Sequence, residues 1–185
     1  TASSLRDRHQ GRAPSEIDAL GHARDLYKAF GIDPTRYRPS SEALLRRVLK
    51  GKPLPRILNA VDLCNLCSLR FLLPIGLYDA AKVRPPVLLR KGKEGEAYPG
   101  IRKDDVHLQD RPVLVDRSGP FGNPTSDSLR TSVTGDTTSL LMVIFSPAAY
   151  PSELMTENVR IACKLMERHL APAGEAVGTA GVGIP

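Results

Sequence analysis

Residues 112–145 read PVLVDRSGPFGNPTSDSLRTSVTGDTTSLLMVIF. Two apolar runs, PVLV at 112–115 and LLMVIF at 140–145, enclose a segment dense in Gly, Pro, Asn, Ser, Asp, Arg and Thr. Short apolar runs bounded by turn residues read as buried strands. A connection this long is uncommon inside a compact domain and, when ordered, usually carries function. An ordinary surface loop with local turn chemistry is the competing reading of the same residues.

Working outward, VLLR at 87–90 and VHL at 106–108 read as further short strands, with Gly92, Gly95 and Gly100 in the turns. Downstream, residues 153–170 carry Leu154, Met155, Ile161, Ala162, Leu165 and Met166 at helical spacing, and Ser152 stands where an N-cap belongs. Upstream, three helices are predicted. The first covers residues 15–30, with Ser15 and Asp18 as a capping box and Gly31 as its stop. The others cover 41–50, ended by Gly51, and 57–71; Pro34, Pro39, Pro53 and Pro55 punctuate the joints. Helices, then strands, then a helix give the α+β class: a single domain with a mixed or antiparallel sheet packed by helices. That sheet is expected to hold residues 87–90, 112–115 and 140–145. Residues 1–14 are basic and aperiodic and are expected to be disordered; 15–171 form the domain, and 172–185 a flexible Gly- and Ala-rich tail.

Composition excludes several classes. A hydrophobic fraction of 41% and a charged fraction of 25% are globular values, and the apolar runs fall far short of a membrane span. A cytoplasmic chain without membrane association is expected. Three cysteines, an odd number, argue against a disulfide scaffold. Cys64 and Cys67 form a CxxC inside NAVDLCNLCSLRFLL, which has helical spacing, whereas a thioredoxin-like motif follows a strand. Zinc needs a second ligand pair, and His9, His22, His107 and His169 are scattered singly. The cysteines therefore read as packing residues, and neither metal nor cofactor is expected.

The net charge of +6 and pI near 9.4 favour acidic partners, nucleic acid first. Arg6, Arg8, Arg12, Arg36, Arg38, Arg46, Arg47 and Lys50 form one group; Arg84, Arg90, Lys91 and Lys93 form another. Asp18, Asp25 and Glu42 interleave with the first group, so a solvated helix face is the bland alternative. Aromatics at 5% supply no base-stacking platform.

The run LLRRVLKGKPLPRILNAVDLCNLCSLRFLLPIGLYD, then LRKGKEGEAYPGI, then VLVDRSGPFGNPTSDSLRT, resembles the B3/B4 domain. That domain is the editing module of the phenylalanyl-tRNA synthetase beta subunit and also occurs as free-standing proteins. The resemblance covers about residues 20 to 150. Its signals are Val61-Asp62 with Asn65, the Pro74…Tyr78-Asp79 turn, the Glu94-Gly95-Glu96 signature and the Gly119 loop. GPFGNPTSD is closer to the free-standing branch. The resemblance implies an α+β fold whose cleft receives the 3′ end of a misacylated tRNA and hydrolyses the wrong amino acid from it.

On that basis Gly119 and Gly122 let backbone approach a ligand, and Asp116 or Asp127 holds an amino group or orients water. Arg130 pairs with a carboxylate or phosphate, while Thr131 and Thr134 supply hydroxyls. Asn65 and Met142 complete the substrate-binding set. Asp116, Asp127 and Arg130 are the catalytic candidates; locally, Asp127 and Thr131 can equally cap turns. Arg36, Arg38, Arg46, Arg47, Lys50, Arg84, Lys91 and Lys93 are the expected tRNA contacts. The chain departs from the synthetase pattern twice: Gly76 stands in place of a histidine, and Met142 in place of the glutamate that recognises the tyrosine hydroxyl. A phenol buried against Met would lack a partner, at about 1–3 kcal/mol, so a smaller or apolar amino acid fits better. Two classes remain open, an aminoacyl-tRNA deacylase acting in trans and a non-catalytic module binding tRNA or an amino-acid-like ligand. Hydrolysis of a free small ester has no persuasive Ser-His-Asp arrangement behind it.

Overall fold

A computed structural model describes residues 2–9, 11–101 and 104–170; the tail at 172–185 lies outside the described residues. The helices are α1 (Ala2–His9), α2 (Gly21–Ala29), α3 (Ser40–Leu49), α4 (Asn59–Phe71) and α5 (Ser152–His169). The strands are β1 (Ile75–Asp79), β2 (Leu88–Lys91), β3 (Ala97–Pro99), β4 (Asp105–His107), β5 (Pro112–Asp116), β6 (Gly119–Gly122) and β7 (Leu140–Ile144). The architecture is α+β with antiparallel pairing throughout the strands.

Sequence periodicity explains the helical layer. α3 buries Ser41, Leu45 and Val48, spaced four and three apart, against Leu69 and Leu72 and against Leu5, Ile17 and Leu20. It stops at Gly51, whose φ of +68° is open to glycine without steric cost. α4 ends at Leu72, a leucine at φ +54°. Such backbone costs about 1–2 kcal/mol and persists here because the Leu72 side chain is buried in the helical core.

The strands form three small sheets rather than the single sheet expected. β5 lies between β2 and β6, β3 pairs with β4, and β7 pairs with β1, with Ile75 opposite Ile144 and Asp79 opposite Leu140. The β1–β7 pair is a middle layer. Ile75, Met142 and Ile144 face Cys67 and Phe71 of α4 and Ala162 and Leu165 of α5. Tyr78, Leu141 and Val143 face the other way, onto Leu114 and Phe121 of the three-stranded sheet and onto α2.

Four further expectations change. Residues 15–30 do not form one helix: two 3-10 turns, Pro14–Glu16 and Asp18–Leu20, precede α2. Ile17 is extended between them, which lets both Ile17 and Leu20 reach the core. Within residues 1–14, expected to be disordered, the structure has α1, and Leu5 enters the core beside α3. The Pro74…Asp79 segment is strand β1 rather than a turn. Ser152 is the first residue of α5, whose N-terminal boundary falls at Pro151 with no side-chain cap. Among the described residues, no helix is long and apolar enough to cross a membrane.

Candidate functional site

The polar stretch after β5 is not one long loop. Residues 116–122 form a hairpin: β6 returns on β5, with Asp116 opposite Gly119 and Leu114 opposite Gly122, through a bulge. Gly119 makes the turn at φ +111°, a region closed to side-chain-bearing residues. The chain then passes through Asn123–Pro124, whose Asn123 Oδ1 accepts from the Thr125 and Ser126 N–H groups at 2.8 and 2.9 Å.

Three buried phenols pin this loop. Tyr27 Oη of α2 shares a 2.5 Å hydrogen bond with Thr125 Oγ1. Tyr98 Oη of β3 donates to the Ser126 carbonyl at 2.6 Å and accepts from Asn123 Nδ2 at 3.0 Å. Tyr78 Oη of β1 donates to Asp127 Oδ1 at 2.7 Å. The chain has five tyrosines, and three of them are committed to residues 123–127, so this loop is tied to α2, β1 and β3 at once. Burial pushes the Tyr27 phenol up to about 12 and those of Tyr78 and Tyr98 further still, so all three phenols keep their protons at physiological pH.

Asp127 closes the outer edge of β1. The Phe145 N–H bond to the Pro74 carbonyl and the Ala80 N–H bond to the Ser139 carbonyl place even-numbered residues of β1 in hydrogen-bonded pairs with β7. Odd-numbered N–H groups therefore turn to the opposite edge, where the Leu77 N–H donates to the Asp127 carboxylate. The Asp127 side chain is half-buried. Desolvation pushes its pKa up to about 7, while the Tyr78 and Leu77 donors pull the other way without overcoming it. A carboxyl poised at neutral pH and held rigidly by two donors is suited to exchanging a proton.

Asp116 and Arg130, the other two catalytic candidates, hold each other rather than Asp127. Arg130 Nη2 and Nη1 bind Asp116 Oδ1 and Oδ2 at 2.9 and 3.1 Å. The Asp116 side chain is fully buried and also accepts from the Arg84 and Ser118 N–H groups at 2.8 Å each. Desolvation raises its pKa, but the Arg130 fork and the two backbone donors together hold it below the usual carboxylate range. Arg130 donates further to the Lys82 and Gly119 carbonyls at 3.2 and 3.3 Å. The pair joins β5, β6 and the segment after β1 into one unit.

The substrate-binding candidates separate. Gly122 packs against Tyr78, and Thr131 is buried with its hydroxyl donating to the Phe121 carbonyl at 3.4 Å. Thr134 is exposed in a turn closed by Thr137 Oγ1. Asn65 sits half-buried on α4. Met142 lies on the helix-facing side of β7, across the sheet from Tyr78, and does not line the same surface as Asp127. Glu96 of the Glu94-Gly95-Glu96 signature is bound at both oxygens by Arg90, at 2.6 and 2.8 Å, and also accepts from the Lys93 N–H at 2.6 Å.

Of the basic residues, Arg36, Arg38, Lys50, Arg84, Lys91 and Lys93 are exposed, and Arg46 and Arg47 half-buried. Lys91 pairs with Asp110 at 2.9 Å. Glu42, read as part of a solvated face, is buried instead and gathers Arg24, Arg38 and Arg46. The sequence reading had Tyr78 as a family signal without a role, and missed Tyr27, Tyr98, Asn123 and Arg24. Asn-Pro is the one local signal for the pinned loop, while isolated tyrosines within apolar segments carry none. The three cysteines are free thiols, and burial raises the pKa of each. Among the described residues, no group of three His, Cys, Asp or Glu side chains converges as a metal site.

The B3/4 domain family profile matches residues 22–164, from α2 into α5. The chain belongs to the B3/4 domain family. No curated protein matches the sequence. Among solved structures, this B3/4 domain is similar to an N-terminal fragment of the phenylalanyl-tRNA synthetase beta-subunit from Pyrococcus horikoshii. The TM-score is 0.51 at 14% identity, over 90% of this chain and 72% of the other. At that identity the likeness speaks for the fold alone.

Proposed function

We propose that this B3/4 domain binds tRNA and hydrolyses the aminoacyl ester of mischarged tRNA, with Asp127 as the group that handles the proton. The observation that carries the reading is the Asp127 carboxyl, fixed by Tyr78 and Leu77 and shifted to about 7. As carboxylate it takes a proton from a water attacking the ester carbonyl; a new C–O bond forms, and the ester oxygen leaves with the proton that Asp127 returns. An aminoacyl ester is already reactive, so orientation and one proton relay suffice without a nucleophilic Ser or Cys. The basic groups at 36–50 and 84–93 supply phosphate contacts, which position RNA without reading its sequence.

The test is a panel of mischarged tRNAs followed for ester loss. Asp127→Asn is expected to cut the rate by roughly 10²–10⁴-fold with little change in tRNA affinity. The parent rate should climb with pH through about 7, as the carboxylate forms. Stability should move oppositely. A folded-state pKa raised above 3.8 favours the folded state most below about pH 4, and that advantage is lost as pH rises towards 7. Asp127→Asn should flatten this slope in thermal melts. Full turnover by Asp127→Asn would sink the mechanism.

A binding module is the second reading, favoured by the closed Asp116–Arg130 pair and by Gly76, which carries no side chain where the synthetase pattern has a histidine. Retained tRNA binding with no ester loss from any member of the panel would decide for it.

A further inference from the structure

Three arginines from three segments converge on one buried carboxylate. Glu42 lies in the first turn of α3 with its side chain 2% exposed. Arg24 of α2 binds its Oε2 and Arg46, one turn along α3, binds its Oε1, both through Nε at 2.9 Å. Arg38, from the connection before α3, brings its Nε to 3.7 Å of Oε1. Desolvation works against the Glu42 charge, but the Arg24 and Arg46 bonds prevail and keep it ionised. Three positive charges against one negative leave the cluster at +2.

One arginine neutralises a buried carboxylate; two more at the same oxygens repel each other. Each is engaged through Nε, so the terminal Nη1–Nη2 edge of each guanidinium makes no hydrogen bond to another described residue. That edge is the fork that takes two oxygens of an oxyanion. The side chains are 20, 45 and 37% exposed for Arg24, Arg38 and Arg46, so their ends reach solvent while Glu42 does not.

We propose that Glu42 is a positioning residue that splays Arg24, Arg38 and Arg46 into a preformed phosphate site. A phosphate group fits because its charge offsets the surplus and its several oxygens can engage more than one fork; a carboxylate offers one planar pair. The phosphate belongs either to an RNA backbone or to a small free phosphate. The RNA source deepens, and rests on, the tRNA reading above; the site itself needs no hydrolysis.

The experiment therefore uses unacylated RNA and inorganic phosphate. Fluorescence anisotropy follows a 12-nucleotide RNA over a salt series, and thermal melts compare phosphate with chloride at equal ionic strength. Arg38→Gln and Arg24→Gln should each weaken RNA binding roughly tenfold and reduce the slope of log K against log salt by about 0.7, one phosphate contact. Arg160→Gln on α5, paired with Glu157, is the control and should leave both readouts unchanged. Should Arg24→Gln fail to fold, Arg38→Gln decides, since its longer, more exposed contact leaves the Arg24–Glu42–Arg46 core intact. A melting rise with phosphate that both variants lose assigns the site to free phosphate as well; RNA weakening without it assigns the site to the phosphodiester backbone. Unchanged RNA slopes together with no phosphate-dependent melting shift overturn the proposal, as does an equal loss in Arg160→Gln.

Discussion

Gly76 and Gly122 sit on either side of the Tyr78 hydroxyl. A Cβ at either position would overlap Tyr78 Oη and lie within 2.6 Å of its Cζ, and the ring cannot retreat because Phe121 packs edge-on at 4.9 Å. The two glycines make room for the phenol that holds Asp127. Tyr78→Phe keeps the ring and deletes that hydrogen bond. The bond favours the carboxylate, so its loss should cost about 1–3 kcal/mol where Asp127 is ionised. Urea titrations should find the cost growing as pH rises through about 7 and small at pH 5. Arg130→Ala acts differently, leaving the Asp116 carboxylate charged and buried. It should destabilise the domain by about 3–5 kcal/mol, seen as a lower melting temperature. Lost activity in that variant would accordingly report the fold. None of these pairings was legible in the sequence, because Tyr78 and Asp127, or Asp116 and Arg130, meet only after the chain has folded.

At the scale of elements, legibility tracks periodicity. α3, α4 and α5 carry apolar residues three and four apart, and β2, β5 and β7 are apolar runs long enough to read. β1 and β6 read as turn and loop because IGLYD and GPFG contain glycine and proline, ordinary turn signals. Here Gly76 and Gly122 accommodate a tyrosine ring rather than a turn. α1 escapes because Leu5 alone marks its inner face among polar and basic neighbours. The connection from β2 to β3 depends on Glu96, which ties Arg90 to the Lys93 N–H. The Arg90 hydrogen bonds, with a smaller share from the backbone donor, hold Glu96 down to about 2 against desolvation. Its stabilisation is complete above pH 4.5 and lost as pH falls through about 2. Glu96→Gln should cost about 1 kcal/mol near neutrality, with a shallower acid denaturation curve between pH 4.5 and 2.

At the scale of the molecule, the sequence carried the α+β class through the order of its helical and strand segments, and the family through the resemblance. What it could not carry was the division into three small sheets, since that depends on which strands meet rather than on which segments are strands. The β1–β7 pair joins residues on either side of the entire β2–β6 region and stands between the helical core and the three-stranded sheet. This has a consequence for birth on the ribosome. When β1 leaves the exit tunnel, the strand that will flank it is still untranslated, and so is Asp127, which will satisfy its other edge. At about 5–20 residues per second, several seconds pass in which an apolar strand has neither neighbour. Helices α1, α3 and α4 can associate early through their own cluster, but the layer built on β1 must wait for the C-terminal third. The fold is completed from both ends of the chain, and until then the unpaired β1 layer exposes the kind of apolar surface that chaperones bind.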